Sequence, residues 1–542
     1  MGTVLTRPDT NGRRSTRQAA ILLHDATERE RAGKTEEAIS RYEAAIAAAE
    51  RGGADLVLAE ALRGLAVARH KHGESALAQE LCRRSYATAL EARNDLLAAE
   101  ALNTLGATSL MSGSVEAVRE FFLRALALGG SRGVLRARVE QNLGILSNIQ
   151  GDLDQARRRY ESSLAAYESA GDEQGCALAY HNLGMVAADL EQWDDADRHF
   201  ARSLEIAERT GNRYLQGLCL VNHAEVHVAR QRYDEAMRDA ETALEIFDRL
   251  GARDAKAGVY RVLGVIYRET GRVTLAESRL QLAIELSVAT GSVLNEAEAT
   301  RELALYYQGV GRNQEALSAL FAAHRLFGQL DARRDLVHVD GKVAELEGTY
   351  LVVVGQWAQS IESADTYTFG HCERVARNAG AVARALQLDE HEQTTIRLGA
   401  YLHDVGKLKV PPEILNKPGP LTPDESAVVK MHPLWGIELL EGITFPWALK
   451  PIIRWHHERY DGAGYPDGLC GDDVPLAAQV VGVADVYDAL TSARSYRPAL
   501  TPAEAAAEMT MMRGAWSPQV YAVAQDALPA AARTESSHTY AA

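Results

Sequence analysis

Histidine and aspartate residues are concentrated late in the chain, in a pattern that could bind metal ions. The candidate ligands are His371, His403, Asp404, His432, His456, His457 and Asp485. Imidazole and carboxylate groups without a thiolate favour Fe, Mn, Zn or Ni over purely soft or purely hard ions. Each histidine alone is more often a capping or buried structural residue. The prediction of a metal site therefore depends on their occurring together.

Two pairs of adjacent candidates restrict how ions can be held. Neighbouring residues of a helix point about 100° apart, so His403 and Asp404 serve one ion only near the helix axis, or serve two neighbouring ions. A carboxylate has two oxygens and can bridge two cations, whereas an imidazole cannot. Asp404 is therefore the predicted bridge. His456 and His457 are also adjacent in sequence, and at the end of a helix their side chains can approach one ion from two directions.

Helices must position these side chains. The sequence predicts helices at Phe369–Leu386, Glu392–Asp404, Trp435–Glu441, Trp447–His457 and Ala477–Thr491. Helices from separate segments can project histidine and carboxylate inward and so build a metal site in a bundle core. We therefore expect residues 364–528 to form a helical bundle around the candidate ligands.

The first 330 residues repeat with a period of about 40 residues, which predicts a helical solenoid. Asn142-Leu143-Gly144 recurs as Asn182-Leu183-Gly184, and related triplets keep the phase elsewhere. Turn glycines recur in parallel, and an alanine follows most of them by five residues: Ala38, Ala78, Ala156, Ala196, Ala236, Ala276 and Ala316. About eight two-helix units, resembling the tetratricopeptide repeat, fit between Asp25 and Leu330. His223 replaces the repeat leucine in one unit, where a core or rim histidine is the simpler interpretation.

The predicted organisation is all-α: a tetratricopeptide-like solenoid followed by a helical bundle. We assign residues 1–24 to a disordered tail, 25–330 to the solenoid, 331–363 to a connecting helix, 364–528 to the bundle and 529–542 to a flexible tail. The connecting helix either packs against one domain or forms a seam between two copies, so a homodimer is one expectation. The solenoid is expected to bind a protein or peptide partner.

Composition limits the class of protein. The chain has 542 residues and a formal net charge of −16, which argues against general nucleic-acid binding because phosphate backbones need a basic surface. Five scattered cysteines without a CxxC pair predict reduced thiols. We find neither a secretory signal nor a run of about 20 apolar residues. The expectation is a cytoplasmic protein that does not interact with membranes.

The loop after the paired histidines is more specific than any single ligand. It begins His456-His457-Glu458, continues through Asp461-Gly462 and Gly464-Tyr465-Pro466, and ends at Gly468. Residues 355–528 resemble the HD-GYP family of the HD phosphohydrolase superfamily, whose HHE..DG.GYP.G pattern this loop matches at every position. Two further segments fit the family: Asp365–His371, and Val483–Thr491 with Arg494, Tyr496 and Arg497.

The resemblance implies an enzyme that hydrolyses cyclic di-GMP with the help of two bound divalent ions. The expected metals are Fe or Mn, with Zn or Ni as alternatives. His432, His456 and His457 would hold one ion. His403, Asp485 and His371 would hold the other, and Asp404 would bridge both. Asp404 and Lys407 are the expected catalytic residues, and the expected substrate contacts are Lys407, Gly464, Tyr465, Arg494 and Arg497.

One departure from the family bears on the product. Tyr367 stands where some members carry a glutamate that recruits a third ion. A two-ion site is therefore predicted, and such sites are associated with linear pGpG as the product, with GMP as the alternative. Other functions remain open at this stage: a nucleotide-sensing or scaffold protein that binds without turnover, or a hydrolase of another cyclic dinucleotide.

Overall fold

The computed structural model describes residues 10–31, 34–110, 114–129, 133–362, 370–443, 445–493 and 498–538. Within these residues the regular secondary structure is helical throughout, which confirms the all-α prediction. No helix of the described ranges is both long enough and apolar enough to cross a membrane. The chain divides into two compact units, Met1–Lys342 and Val343–Ala542, called here the repeat unit and the C-terminal unit.

Sixteen helices of the described residues build the repeat unit up to residue 329. They are α1 Thr10–Arg31, α2 Thr35–Gly52, α3 Asp55–Lys71, α4 Ser75–Glu91, α5 Asp95–Ser109, α6 Val115–Gly129, α7 Gly133–Ile149, α8 Leu153–Ala170, α9 Glu173–Asp189, α10 Trp193–Arg209, α11 Arg213–Ala229, α12 Tyr233–Leu250, α13 Arg253–Glu269, α14 Val273–Thr290, α15 Val293–Gly309 and α16 Asn313–Gln329. Consecutive helices pack as eight antiparallel pairs, and successive odd-numbered helices also contact one another. Stacked helix pairs of this kind bury a continuous core that no pair could bury alone.

Turn and core residues explain the 40-residue period. Gly151 and Gly271 adopt positive φ angles of 82° and 73° between paired helices, a conformation that glycine adopts at little cost. Glu191 and Gln231 replace glycine at two equivalent turns and still adopt φ of 58° and 60°. The alanines that follow the turns are completely buried, as the close approach of paired helices requires.

Aromatic rings of the second helix in a pair lie against a glycine of the first. A Cβ added to Gly144 would lie 2.6 Å from the Tyr160 ring, and one added to Gly184 would lie 2.7 Å from the Phe200 ring. Both distances are shorter than normal van der Waals contact. The recurring Leu-Gly pair in the sequence therefore marks the point where a ring of the partner helix fits.

Helix α17, Arg333–Glu362, occupies the predicted connecting segment, and the boundary between the two units falls within it, after Lys342. Both predicted tails differ from the structure in the described residues. Helix α1 already begins at Thr10, inside the segment assigned to a disordered tail. At the other end, the last helix continues to His538, although residues from 529 onward were predicted to be flexible.

Nine helices of the described residues follow in the C-terminal unit, with three short 3₁₀ turns. They are α18 His371–Ala385, α19 Glu390–Leu402, α20 Pro412–Leu415, α21 Pro423–Val429, α22 His432–Leu439, α23 Leu449–Trp455, α24 Leu476–Thr491, α25 Pro502–Met511 and α26 Pro518–His538. Helices α18, α19, α23, α24 and α26 surround one apolar core. Each of the five predicted helices has a counterpart here, and no end differs from the predicted one by more than three residues.

Candidate metal centre

Six of the seven predicted ligands lie at helix ends. His371 and His432 are the first residues of α18 and α22, His403 and Asp404 follow the last residue of α19, and the paired histidines follow the last residue of α23. Asp485 lies within α24. Because helix α19 ends at Leu402, both His403 and Asp404 can face the same centre instead of pointing 100° apart along a helix.

The ring orientation of three histidines follows from their backbone hydrogen bonds. The Nδ1 atoms of His403, His432 and His456 lie 2.7, 2.8 and 2.9 Å from the carbonyl oxygens of Ala400, Val429 and Ile453. A carbonyl only accepts, so each Nδ1 carries the proton and donates it. Each ring therefore turns its Nε2 inward. Backbone hydrogen bonds of this kind commonly fix histidines that bind metals.

These inward nitrogens lie close to one another without a proton donor between them. The His432 and His456 Nε2 atoms are 3.3 Å apart, and the His403 Nε2 is buried without a hydrogen-bond partner. Two imidazole nitrogens that bind one tetrahedral ion at about 2.0–2.1 Å are about 3.4 Å apart. Lone pairs at this distance repel each other unless a cation lies between them, so the residues present fit a bound metal.

Asp404 stands between two groups of ligand-type side chains. Its Oδ1 lies 3.3 Å from the His432 Nε2, whereas its Oδ2 lies 3.3 Å from the His403 Nε2 and 3.6 Å from the His371 Nε2. Two clusters that could each hold an ion share this carboxylate: His432, His456 and His457 with Asp404, and His371 and His403 with Asp404. The arrangement supports the predicted bridging role. Asp485 lies at the edge of the second group, 3.4 Å from the His371 Nε2.

Burial and neighbouring charges shift the pKa values in opposite directions across the centre. Burial lowers the pKa of His457 to about 3 and holds that of His456 well below its usual range. Burial also acts on His371, but hydrogen bonds to Asp404 and Asp488 outweigh it and raise its pKa to about 10. Burial would raise the pKa of Asp404, yet His403 and Lys407 hold it well below its usual range. Neutral His456 and His457 beside an ionised Asp404 are the protonation states that a metal site needs, whereas His371 must lose a proton before it can bind an ion.

Lys407 contacts the centre directly. Its Nζ lies 2.5 Å from the Asp404 Oδ2, on the short 3₁₀ turn Val405–Lys409. The sequence placed Lys407 near a phosphate oxygen of the substrate, and the structure places it beside the bridging carboxylate. Both positions are compatible, since an ammonium has three donors.

Gly406 allows this turn to approach α22. A Cβ added to Gly406 would lie 1.9 Å from the His432 carbonyl oxygen, a distance that no side chain can occupy. The glycine of the His403–Lys407 segment is therefore a structural requirement for bringing Asp404 and His432 together.

Two residues that the sequence analysis left without a role support His371. The His371 Nδ1 donates to the Asp488 Oδ2 at 2.7 Å, and the Arg374 Nε donates to the Asp488 Oδ1 at 2.6 Å. Asp488 is buried and lies one helical turn after Asp485. A carboxylate in this position fixes the orientation of an imidazole and raises its basicity. The three-residue spacing from Asp485 to Asp488 was the signal available in the sequence.

Glu458 holds the Gly-Tyr-Pro loop in place. This buried carboxylate accepts hydrogen bonds from the backbone N–H groups of Asp467, Gly468 and Leu469, at 2.6, 3.0 and 3.0 Å. The paired histidines and the loop are therefore fixed by one side chain that follows directly after them.

Gly464 and Tyr465 pack against the same segment. A Cβ on Gly464 would lie 2.4 Å from the Arg459 backbone nitrogen, so glycine is needed for this close approach. The Tyr465 ring stacks on the His457 imidazole with centroids 4.8 Å apart, and the Lys430 Nζ lies 5.3 Å from the tyrosine ring centroid. These contacts support a role of the tyrosine ring in ordering the loop. Its predicted substrate contact, and that of Gly464, remain predictions.

Arg494 and Arg497 lie outside the described residues, as does Tyr367, so their predicted roles stay predictions.

Comparison with known families identifies both units. Residues 356–519 match the HD domain family, and residues 175–249 match the tetratricopeptide repeat. The cyclic di-GMP phosphodiesterase response regulator RpfG of Xanthomonas campestris pv. campestris is 46% identical over 172 residues, which are 31% of this chain and 46% of that protein. Residues 356–519 are thus an HD domain of the HD-GYP type, and the repeat unit contains tetratricopeptide repeats.

Two other relatives of the HD-GYP domain are named for different cyclic dinucleotide substrates. The cyclic di-GMP phosphodiesterase PA4108 of Pseudomonas aeruginosa is 40% identical over 162 residues, which cover 30% of this chain and 39% of that protein. The 3'3'-cGAMP-specific phosphodiesterase 2 of Vibrio cholerae is 35% identical over 174 residues, which cover 32% and 33%. The chain thus spans less than half the length of each of these three relatives, and the similarity falls on the HD-GYP domain.

Proposed function

We propose that the HD-GYP domain is a metal-dependent phosphodiesterase that hydrolyses cyclic di-GMP to linear pGpG. One observation carries the proposal: the unprotonated Nε2 atoms of His403, His432 and His456 converge around the Asp404 carboxylate. Divalent ions fit this set of donors, with Fe or Mn first and Zn or Ni as alternatives. The relatives named above act on cyclic dinucleotides, which supplies the substrate class.

Seven residues of this domain would hold the two ions. One ion would be bound by His432, His456 and His457. The other would be bound by His371, His403 and Asp485, and Asp404 would bind both ions. When bound, such ions neutralise phosphate oxygens and lower the pKa of water, and both effects favour attack on a phosphodiester anion. Burial keeps His456 and His457 neutral, backbone carbonyls orient His403, His432 and His456, and Asp488 and Glu458 hold His371 and the loop in position.

Other residues of the chain would orient the phosphates. The Lys407 ammonium lies next to Asp404 and can donate to a non-bridging phosphate oxygen while it keeps its contact with the carboxylate. Arg494 and Arg497 are proposed to form a fork for the second phosphate or for a guanine edge. Gly464 and Tyr465 would line the same side of the site.

Product analysis on the metal-loaded full chain tests this proposal. The purified protein is incubated separately with cyclic di-GMP and with 3'3'-cGAMP, and the products are separated by chromatography and identified by mass spectrometry. We expect conversion of cyclic di-GMP to pGpG. Preferential turnover of 3'3'-cGAMP would support the alternative substrate, because relatives with both specificities match this domain. Tight binding without turnover of either nucleotide would favour a nucleotide-sensing protein and contradict the enzymatic proposal.

We also propose that a protein or peptide bound by the repeats changes the turnover of the HD-GYP domain. The match to the tetratricopeptide repeat over residues 175–249 supports a role in partner binding. The test compares the full chain with a chain that lacks residues 1–330, each assayed with and without added cell lysate. Equal responses of the two proteins would contradict this regulation.

A further inference from the structure

A second group of ligand-type side chains lies in the repeat unit, far along the chain from the HD-GYP domain. His223 and His227 are one turn apart on α11, Asp239 lies on α12, and Asp197 lies on α10. The His223 Nδ1 is 2.9 Å from the Asp239 Oδ2, and the His227 Nε2 is 3.5 Å from the same oxygen. The His223 Nε2 is 3.5 Å from the Asp197 Oδ1. Helices α11 and α12 therefore contribute three donors to one small volume, and Asp197 of α10 lies against the opposite nitrogen of His223.

The other repeats show that packing does not require these residues. His223 occupies the position of a leucine that is buried in four other units: Leu143, Leu183, Leu263 and Leu303. The position of His227 is Ser147 in one unit and Ala187 in another. The position of Asp239 is Arg159 and Arg279 in two further units. Three ligand-type residues thus replace apolar, small or basic ones within a single repeat.

Ion pairing accounts for only part of this cluster. The Asp197 Oδ2 accepts a hydrogen bond from Arg230 at 2.8 Å, but the Asp197 Oδ1, which faces His223, is buried without a hydrogen-bond partner. The His227 side chain is 8% exposed, and its Nδ1 is also buried without a hydrogen-bond partner. Buried polar atoms normally have partners, so a pair without them in one cluster indicates a missing ligand.

We propose that His223, His227 and Asp239 form a binding site for a divalent transition cation, with Zn²⁺ as the best match. One ligand atom from each of these side chains lies within 4.8 Å of the others. Two imidazoles and one carboxylate are a donor set that zinc binds, with the fourth tetrahedral position left for water. Asp197, on α10 of the preceding repeat, faces the other ring nitrogen of His223 and orients this histidine. The bound ion therefore fixes α11 against α12.

Metal counting on the untagged full chain tests the site. Chelator-stripped protein is dialysed against micromolar free Zn²⁺, and the ions per chain are measured by elemental mass spectrometry. The wild type is compared with a double variant, His223→Leu with His227→Ala, in which each new residue is one that other repeats carry at that position. We expect the double variant to bind one ion fewer. Ions held by the HD-GYP domain are common to both proteins and cancel in the difference.

Two further variants make the comparison specific. Asp239→Arg, which again installs the residue of other repeats, should also remove one ion. His324→Ala is the control: it removes an exposed histidine whose Nε2 lies 3.3 Å from the Asp340 Oδ1. This variant should leave the ion count unchanged. Thermal unfolding of the wild type should shift upward when Zn²⁺ is added, and the shift should be smaller in the double variant. Equal ion counts in the wild type and both cluster variants would overturn the site, whatever the outcome of the turnover assay.

Discussion

Buried histidines occur in both units, but their ring nitrogens are satisfied differently. In the repeat unit, the His181 Nδ1 lies 3.2 Å from the Asn182 Oδ1, and its Nε2 lies 2.9 Å from the Asn222 Nδ2. One nitrogen donates and the other accepts, so the ring is fully paired by the protein. In the HD-GYP domain the His403 Nδ1 is paired in the same way, but its Nε2 has no hydrogen-bond partner.

Charged groups show the same contrast. Glu302 in the repeat unit is buried between Arg268 and Arg301, at 2.8 and 3.3 Å, so its charge is balanced by cations of the protein. Asp404 is buried to a similar degree but contacts imidazoles and one lysine. Burial alone therefore does not distinguish a structural residue from a functional one. What distinguishes the metal centre is that several imidazole nitrogens converge on one carboxylate, and one of them, the His403 Nε2, has no hydrogen-bond partner.

The largest effect is expected from replacing the bridging carboxylate. Asp404→Asn keeps the shape of the side chain but removes the charge and one acceptor oxygen, so both ions lose a ligand. Turnover should fall by about 10³-fold or more, which corresponds to about 4 kcal/mol in the activation barrier. Initial rates with cyclic di-GMP at saturating metal measure the change.

Glu302→Gln is the matched control for that variant. It also neutralises a buried carboxylate, but one whose partners are structural arginines. Without the carboxylate, the arginines lose their partner, and the free energy of unfolding of the repeat unit should fall by about 3 kcal/mol in urea unfolding. The turnover of the folded protein should stay unchanged. If Glu302→Gln abolished turnover as fully as Asp404→Asn, the contrast between the two units would fail.

The paired histidine of the repeat unit should make stability depend on pH. Burial lowers the pKa of His181 to about 4, below the unfolded value of about 6.5. The neutral ring therefore stabilises the fold fully above pH 6.5, and this contribution is lost as the pH falls from 6.5 towards 4. The loss amounts to roughly 3 kcal/mol at most.

Comparison with His181→Gln isolates this effect from other titrating groups. Glutamine retains a donor and an acceptor but does not titrate in this range. The free energy of unfolding should decrease less steeply in the variant than in the wild type between pH 6.5 and 4. Parallel pH profiles for the two proteins would show that His181 does not contribute.

A smaller effect is expected at the residue that supports His371. Asp488→Asn retains the volume of the side chain but weakens the hydrogen bond that orients the imidazole. The metal concentration for half-maximal turnover should rise by about 10- to 100-fold, as for other residues that position metal ligands. Turnover at saturating metal should remain close to that of the wild type. A loss of turnover that excess metal does not restore would instead assign Asp488 to the chemistry.

The smallest effect is expected from the tyrosine of the Gly-Tyr-Pro loop. Tyr465→Phe preserves the stacking on His457 and should change turnover by less than about threefold. Tyr465→Ala removes the stacking, worth about 1 kcal/mol, and should lower turnover by several-fold. Equal losses in both variants would indicate that the hydroxyl contacts the substrate and that ordering the loop is not its main role.

The sequence predicted the architecture well where a pattern repeats. The 40-residue period arises because every unit packs its two helices in the same way. The packing roles of Gly184 and Ala196 could therefore be predicted from the sequence. Helix ends were less predictable. Helix α22 begins at His432, although the sequence predicted a start at Trp435, because Pro433 fits the first turn of a helix and ordering of that turn depends on tertiary contacts. The helical segments α1 and the end of α26 were missed for a similar reason, since the polar sequence there lacks a strong period.

The sequence alone predicted which residues would carry the chemistry, because imidazole and carboxylate types and a long loop motif are local properties of the chain. Only the tertiary structure decided which ring nitrogens point inward, that Asp404 faces two groups of ligands, and that Asp488 orients His371. These properties depend on backbone carbonyls and side chains that lie up to 117 positions apart in sequence. Folding brings such groups together, and no local pattern records the distance between them.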